Sequence, residues 1–197
     1  MIESPPWLII VTGRPAAGKS TLAKWLGERL TLPVVSKDEV KEILFDALGW
    51  SDRKWSKALG RTSVELMFHF AEKLLETRHS LILDNAFHSD LASHRFGSLK
   101  QKHGAESLQI ICSAPAEILH GRFRDRAIRQ PRHPGHVDML SLDEYKQSLQ
   151  SNPLLALDIG GEVIEVDTTD FAAIDRDSIL AKIRSLIGLL PLPQNQS

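Results

Sequence analysis

An α/β fold, a parallel sheet covered by helices on both faces, is predicted by three features of the sequence. Short apolar runs alternate with longer stretches of helical periodicity from one end to the other, the pattern of parallel strands joined by helical crossovers. The segment Gly13, Arg14, Pro15, Ala16, Ala17, Gly18, Lys19, Ser20 fits G-x-x-x-x-G-K-[ST] and lies between an expected strand and an expected helix. At 197 residues, with 42% hydrophobic and 25% charged side chains, the chain suits one domain with a substantial core.

The elements follow in order. Trp7, Leu8, Ile9, Ile10 and Val11 read as a buried strand, and residues 21–30 as the helix after the Gly-rich loop. Pro33, Val34, Val35 and Ser36 form a short second strand. Val40, Ile43, Leu44, Ala47 and Leu48 then recur at helical spacing, with Ser36 and Glu39 in a capping-box pattern and Gly49 as the stop. Residues 50–60 read as a polar connection carrying Trp50 and Trp55. The next helix, about 62–77, places Val64, Met67, Phe68, Ala71, Leu74 and Leu75 on one face. Leu81, Ile82, Leu83 and Asp84 make the third strand, 91–102 a helix, 108–112 the fourth strand and 116–129 another helix. Residues 130–136 contain two prolines and a glycine and are expected to be irregular and mobile. Val163, Ile164, Glu165 and Val166 are the fifth strand. A last helix, about 175–190, carries Ile179, Ile183, Leu186, Ile187 and Leu190 and is stopped by Pro191. One domain over 1–190 results, with a lid at about 121–140 and a disordered tail at 191–197.

Composition narrows the partners. Twenty-four basic against 25 acidic side chains leave no global field to attract nucleic acid or an anionic membrane. The single cysteine, Cys112, lies in an apolar run and reads as a buried strand thiol, with no Cys or His neighbour at metal-ligand spacing. No basic region precedes the first apolar run, and that run is too short for a signal peptide or membrane span, so a cytoplasmic location is expected.

The Gly-rich loop carries the most specific chemistry. Residues 13–21 are expected to hold a nucleoside triphosphate: backbone N–H groups and the helix N-terminus surround the phosphates, Lys19 reaches the β- and γ-phosphates, and the Ser20 hydroxyl ligates Mg²⁺. Asp84, at the end of an apolar strand, suits the second Mg²⁺-ordering group, or simply opens a loop. Asp38, just past the second strand, could accept the proton of an attacking hydroxyl; the alternative is a first-turn acid favouring the helix dipole. Lys41, one helical turn on, could hold an anionic or polar acceptor, or be solvated. Asn85, Trp50, Trp55, Phe87 and the His133 region would shape the acceptor pocket, although simple packing also accounts for the tryptophans. Arg122, Arg126 and Arg129, at i, i+4 and i+7, form one guanidinium stripe, with Arg124 and Arg132 nearby and only Asp125 in opposition. That stripe is either a lid that neutralises transition-state charge or a solvated basic face. His133 and His136 lack a third metal ligand and suit lid or substrate contacts better.

Together these residues resemble the small P-loop kinases related to zeta toxins, chloramphenicol phosphotransferase, gluconate kinase and the kinase domain of polynucleotide 5′-hydroxyl kinases. The likeness is carried by GRPAAGKST at 13–21, SKDEVKEILFD at 36–46, LILDNAF at 81–87 and an arginine-rich stretch ending in RHPGHVD at 138. It implies a three-layer P-loop nucleoside triphosphate hydrolase fold with a five-stranded parallel sheet, kinase-type with a helical lid. It further implies ATP as donor with Mg²⁺, Lys19 and Asp38 as catalytic groups, Asp38 being the acceptor's general base, Lys41 beside the acceptor, and Arg122 and Arg126 in the lid. Polynucleotide kinases carry an arginine where Lys41 stands, which disfavours a nucleic-acid acceptor. Many relatives have Gly-Ser at the place of Ala16 and Ala17, a change that leaves Gly18, Lys19 and Ser20 intact. The expected activity is transfer of the ATP γ-phosphate to a hydroxyl of a small molecule. The alternatives are a polynucleotide 5′-hydroxyl kinase and a nucleotide-binding regulatory ATPase module with no acceptor; no [NT]-K-x-D motif and no ABC-type signature supports the latter.

Overall fold

Side chains alternate along the first strand, β1 (Trp7–Gly13), and so divide the core in two. In the computed structural model, which describes residues 4–87, 89–129, 132–151 and 155–188, Leu8 and Ile10 point to one layer of helices and Ile9 and Val11 to the other. All four are fully buried. Burying each such side chain contributes roughly 1.5–3 kcal/mol, so this strand alone anchors both layers.

The chain continues through α1 (Lys19–Leu30), β2 (Val34–Ser36), α2 (Lys37–Leu48), α3 (Arg53–Glu76), β3 (Leu81–Asp84), α4 (Ser89–His103), β4 (Glu106–Ser113) and α5 (Ala116–Arg129). Two 3₁₀ turns, Pro134–His136 and Asp138–Ser141, lead into α6 (Leu142–Ser151), and β5 (Glu162–Asp167) and α7 (Arg176–Leu186) complete the described chain. The five strands form one parallel sheet in the order β2-β3-β1-β4-β5. On one face, Ile9, Val11 and Ile82 meet Leu22 and Leu26 of α1, Phe123 of α5 and Ile183 of α7. On the other, Leu8, Ile10 and Leu83 meet Met67, Phe68 and Leu75 of α3 and Phe96 of α4.

The register decides where chemistry collects. Asp84 lies opposite Ser36 of β2 on one side and Val11 of β1 on the other, and Gly13 lies opposite Cys112. The ends of β1, β2 and β3 therefore deliver the Gly-rich loop, Asp84 and the start of α2 to one edge, the carboxyl edge where α/β sheets bind ligands.

All five expected strands and the expected three-layer architecture are present. Several local expectations need correction. Residues 53–60 belong to α3 rather than to a loop: Asp52 caps that helix by accepting from the Trp55 N–H at 2.8 Å, a start signal masked by the tryptophans and glycines around it. The capping box at Ser36 is not made, because the Ser36 hydroxyl donates instead to Asp84 Oδ2 at 3.0 Å. Helix α6, polar over most of its length, carried no expectation at all. Residues 132–136 are docked rather than loose, with Gly135 and His136 buried. Gln130, Pro131, Leu190, Pro191 and the tail at 191–197 lie outside the described residues.

Candidate active site

The Gly-rich loop leaves β1 with Gly13 pressed against the Cys112 backbone, so closely that a Cβ would overlap its carbonyl oxygen. Gly18, at φ 77°, caps α1 in the left-handed region and packs on the Phe171 ring. Ala16 also adopts a positive φ, 63°. The loop is braced from inside and outside. Arg14 O accepts from Lys19 Nζ at 2.9 Å and from the Ala17 N–H at 3.1 Å, while Pro15 O accepts from the Tyr145 hydroxyl at 2.5 Å. Arg14 Nη1 donates to Ser148 O at 2.8 Å, a second tie to α6. The first-turn N–H groups of α1 have no intrahelical acceptors, and their partial positive charge faces the cleft. Burial lowers the Lys19 pKa, opposed by the charges of Asp84 and Asp38.

Asp84 is buried, with Oδ2 bound to Ser36 and Oδ1 without any hydrogen-bond partner among the described residues. Burial raises its pKa, against the nearby Ser20 and Ser36 hydroxyls and the Lys19 charge. An orphaned buried carboxylate oxygen beside a Gly-rich loop serine is a donor set of oxygen atoms, which fits a hard divalent cation such as Mg²⁺.

Asp38 stands across the cleft in the first turn of α2. Lys37 Nζ donates to its Oδ1 at 3.1 Å, and Arg132 pairs with its Oδ2. Although burial works against the charge, Lys37, Arg132 and His136 hold this carboxyl far below the usual carboxylate range. Arg132 also reaches Asp138 Oδ2 at 3.4 Å, which Arg126 approaches to 3.7 Å. Lys41 is 4% exposed; its Nζ donates to Ser56 Oγ at 2.8 Å and lies 5.0 Å from the centre of the Phe45 ring. Burial, then Lys37, brings its pKa down to about 8. Arg53, at the start of α3, pairs with Glu144 of α6 at 2.9 Å.

These groups share one cleft of about 780 Å³, lined by Lys19, Ser20, Thr21, Asp38, Lys41, Asp84 and Asn85 from the predicted set, together with Arg122, Arg126 and Arg129. The arginines of the stripe play different parts. Arg122 donates to Thr169 O at 2.9 Å and stacks over Phe171 at 4.8 Å, beside Gly18. Arg126 lies near enough to Lys19 to oppose its charge, and its Nε is buried without a partner among the described residues. Arg129 stands exposed at the rim. Trp50 and Trp55 do not line the cleft and remain half exposed; Trp55 Nε1 donates to Gly49 O. Phe87 is a core residue against Phe68 and Phe96.

His133 and His136 fasten the lid to α2. His136 Nε2 meets Glu42 at 2.8 Å, His133 Nε2 meets Asp46 at 3.2 Å, and both rings pack on Phe45. Burial, then Arg132, brings the His136 pKa down to about 3, so its ring is neutral at physiological pH. Among the described residues no cluster of three His, Cys, Asp or Glu could hold a metal, and none of their helices is long and apolar enough to cross a membrane. Cys112 is buried under the Gly-rich loop, its thiol pushed up to about 12 by burial.

Sequence reasoning missed Arg53, Tyr145 and Phe171. Asp52 before Arg53 was a usable cap signal, and Leu142, Tyr145 and Leu149, at i, i+3 and i+7, were a usable helical one; Phe171 sits in a segment without apolar periodicity.

A parallel sheet with this loop at its carboxyl edge, an acidic strand end and an arginine-rich lid defines a P-loop protein of the kinase-like class. The chain belongs to the AAA_33 family of AAA domains, whose model matches residues 8–151. Among solved structures, a candidate kinase from Chloroflexus aurantiacus J-10-fl is 35% identical, with a TM-score of 0.83 over 93% of this chain and 99% of that one. The fold is shared with a gluconokinase from Sinorhizobium meliloti 1021 at 14% identity and a TM-score of 0.52, covering 95% and 97% of the two chains. It is shared also with a shikimate kinase from Bacteroides thetaiotaomicron at 18% identity and a TM-score of 0.51, covering 93% and 99%. Among curated proteins, none matches by sequence.

Proposed function

We propose that this protein is an ATP- and Mg²⁺-dependent kinase, a phosphotransferase that uses an alcohol group of a small molecule as acceptor, working in the cytoplasm. One observation carries the reading: Asp38 opens into the same cleft as Lys19, Asp84 and Arg126. A nucleotide switch needs only the last three. A carboxylate across the cleft from the phosphate loop is what directs an acceptor hydroxyl, rather than water, at the γ-phosphorus.

In this reading residues 13–21 grip the triphosphate and Lys19 exchanges its contact with Arg14 O for the β- and γ-phosphate oxygens. Ser20 Oγ and the free Asp84 oxygen are the groups that would hold Mg²⁺, which when bound neutralises charge between the β- and γ-phosphates. The acceptor oxygen attacks the γ-phosphorus, the bond to the β–γ bridging oxygen breaks, ADP leaves, and the hydroxyl proton passes to Asp38. With so depressed a pKa, Asp38 orients the hydroxyl first and takes the proton late, once the forming P–O bond has acidified it. Arg126, beside Lys19, suits the developing charge on the transferred group. Arg122, stacked on Phe171, suits the nucleotide's other end.

A screen of hydroxylated metabolites for ATP-dependent gain of one phosphate tests the reading. Lys19→Ala is expected to abolish both transfer and nucleotide binding. Asp38→Asn is expected to lower transfer by about 10²–10⁴-fold with nucleotide affinity preserved; full activity in that variant would remove Asp38 from the mechanism. The excess of arginine around the cleft favours one second reading, a polynucleotide 5′-hydroxyl kinase, which labelled ATP and a 5′-hydroxyl oligonucleotide would reveal.

A further inference from the structure

The cleft holds more positive charge than its carboxylates balance. Eight lysine and arginine side chains but five carboxylates line the cleft as a whole. Lys37, Arg53 and Arg132 all raise the positive potential at Lys41, and Asp38, the carboxylate that opposes them there, is already divided between Lys37 and Arg132. Lys41 is buried, yet its described partners are a hydroxyl and an aromatic ring, neither of them charged. An ammonium has three protons to donate; Ser56 takes one. Arg53 lies one turn before Ser56 on the same face of α3; its Nη2 pairs with Glu144 at 2.9 Å, while its Nε is buried with no partner among the described residues. Burying unpaired donors and like charges together is costly unless an anion arrives to satisfy them.

We propose that Lys41 and Arg53, presented from adjoining faces of α2 and α3, form an anion subsite that binds a carboxylate or phosphate group of the acceptor. The acceptor is then a small hydroxy acid or hydroxylated phosphate ester, not a neutral polyol. This substrate class rests on the kinase reading above; the anion subsite itself does not. A polynucleotide also offers phosphates. However, Lys41 is buried, and Glu144, paired with both Arg53 and Lys57, also lines the cleft and would repel an extended polyanion.

Two experiments separate the claims. First, with the phosphate loop filled by a non-hydrolysable ATP analogue and Mg²⁺, the Lys41 Cε resonance is followed by NMR during titration with acetate, methyl phosphate and the neutral control acetamide. Acetate or methyl phosphate should shift it saturably, with a Kd on the order of 1–50 mM for so small a probe, and the tighter of the two identifies the anion. Arg53→Gln should weaken that binding about tenfold, the loss of one charge-assisted hydrogen bond. No shift beyond that of acetamide, or an unchanged Kd in Arg53→Gln, overturns the subsite. Second, transfer is measured on a panel in which each carbon skeleton appears as polyol, hydroxy acid and phosphate ester, with a 5′-hydroxyl oligonucleotide added. The highest kcat/KM should fall to an anionic small molecule, and Lys41→Met should raise its KM about tenfold while leaving the KM for ATP within about twofold. A polyol or the oligonucleotide as best acceptor overturns the substrate class. Anion binding with no transfer to any compound strikes the kinase reading and leaves the subsite standing.

Discussion

Lys41 costs the folded protein stability in exchange for the charge it keeps in the cleft. Its pKa is about 8 in the folded protein against 10.5 for an unperturbed lysine, because burial and then Lys37, Arg53 and Arg132 disfavour the ammonium more than Asp38 favours it. Between those two values the unfolded chain binds more protons, so stability rises with pH from about 8 to 10.5, and below 8 the whole cost applies, on the order of 3 kcal/mol. Lys41→Met is therefore expected to stabilise the fold at pH 7 by about 1–2 kcal/mol, the remainder being offset by the lost Ser56 and Phe45 contacts. Urea unfolding at pH 7 checks this, and a destabilised variant would contradict it. In the wild type, the acceptor KM should rise as the pH passes 8 and the ammonium is lost. Ala16 illustrates the same trade on the donor side. Its left-handed φ of 63° costs about 1–2 kcal/mol, partly offset by the chain entropy a glycine would lose on folding. Ala16→Gly should raise the melting temperature by about 1–3 °C, and no change would mean that the Tyr145 hydrogen bond to Pro15 O relieves the strain.

Helix α2 holds Asp38, the proposed base, at its start and the docked lid along its length. Gly135 lies against the Phe45 ring so closely that a Cβ there has no room, and the rings of His133 and His136 close over the same phenylalanine. Gly135→Ala should consequently free the lid from α2: limited proteolysis between residues 129 and 141 should accelerate while the cooperative unfolding of the sheet stays unchanged. Equal cleavage rates in variant and wild type would show that the ion pairs hold the lid without the ring stack. The strands were legible in the sequence because each is a short apolar run, and Lys19, Ser20, Asp38 and Asp84 were legible because they stand at the ends of those runs or in the loop between them. Arg53 was not, since the first turn of α3 exposes Trp55 and borders Gly49 and Gly60, which together read as a loop. Helix α6 was not, since it has only three apolar positions, Leu142, Tyr145 and Leu149, in an otherwise polar stretch. The Ser36 capping pattern misled because Asp84, distant in sequence but opposite in register, competes for its hydroxyl.

On the scale of the whole molecule, the sheet converts ligand binding into stability. The loop, Asp84 and Lys19 are continuous with β1, β3 and α1, so a nucleotide that binds only the folded chain should stabilise all of it together: about 2.7 kcal/mol at a hundredfold excess over Kd. Thermal unfolding with and without Mg²⁺ and ATP measures this, and Lys19→Ala should remove the effect. The strand order also separates the two halves of the cleft. In the proposed reading the groups that would grip the donor are carried by β1, α1, β3 and α5, whereas Asp38, Lys41, Arg53 and Ser56 all lie on the single stretch from 37 to 56, which spans α2 and the first turn of α3. A lineage built this way can change its diet without relearning how to hold its fuel. Transplanting that one hairpin between homologues, with residues 132–141 that rest on it, is the shortest route to a chimera with the recipient's nucleotide affinity and the donor's taste.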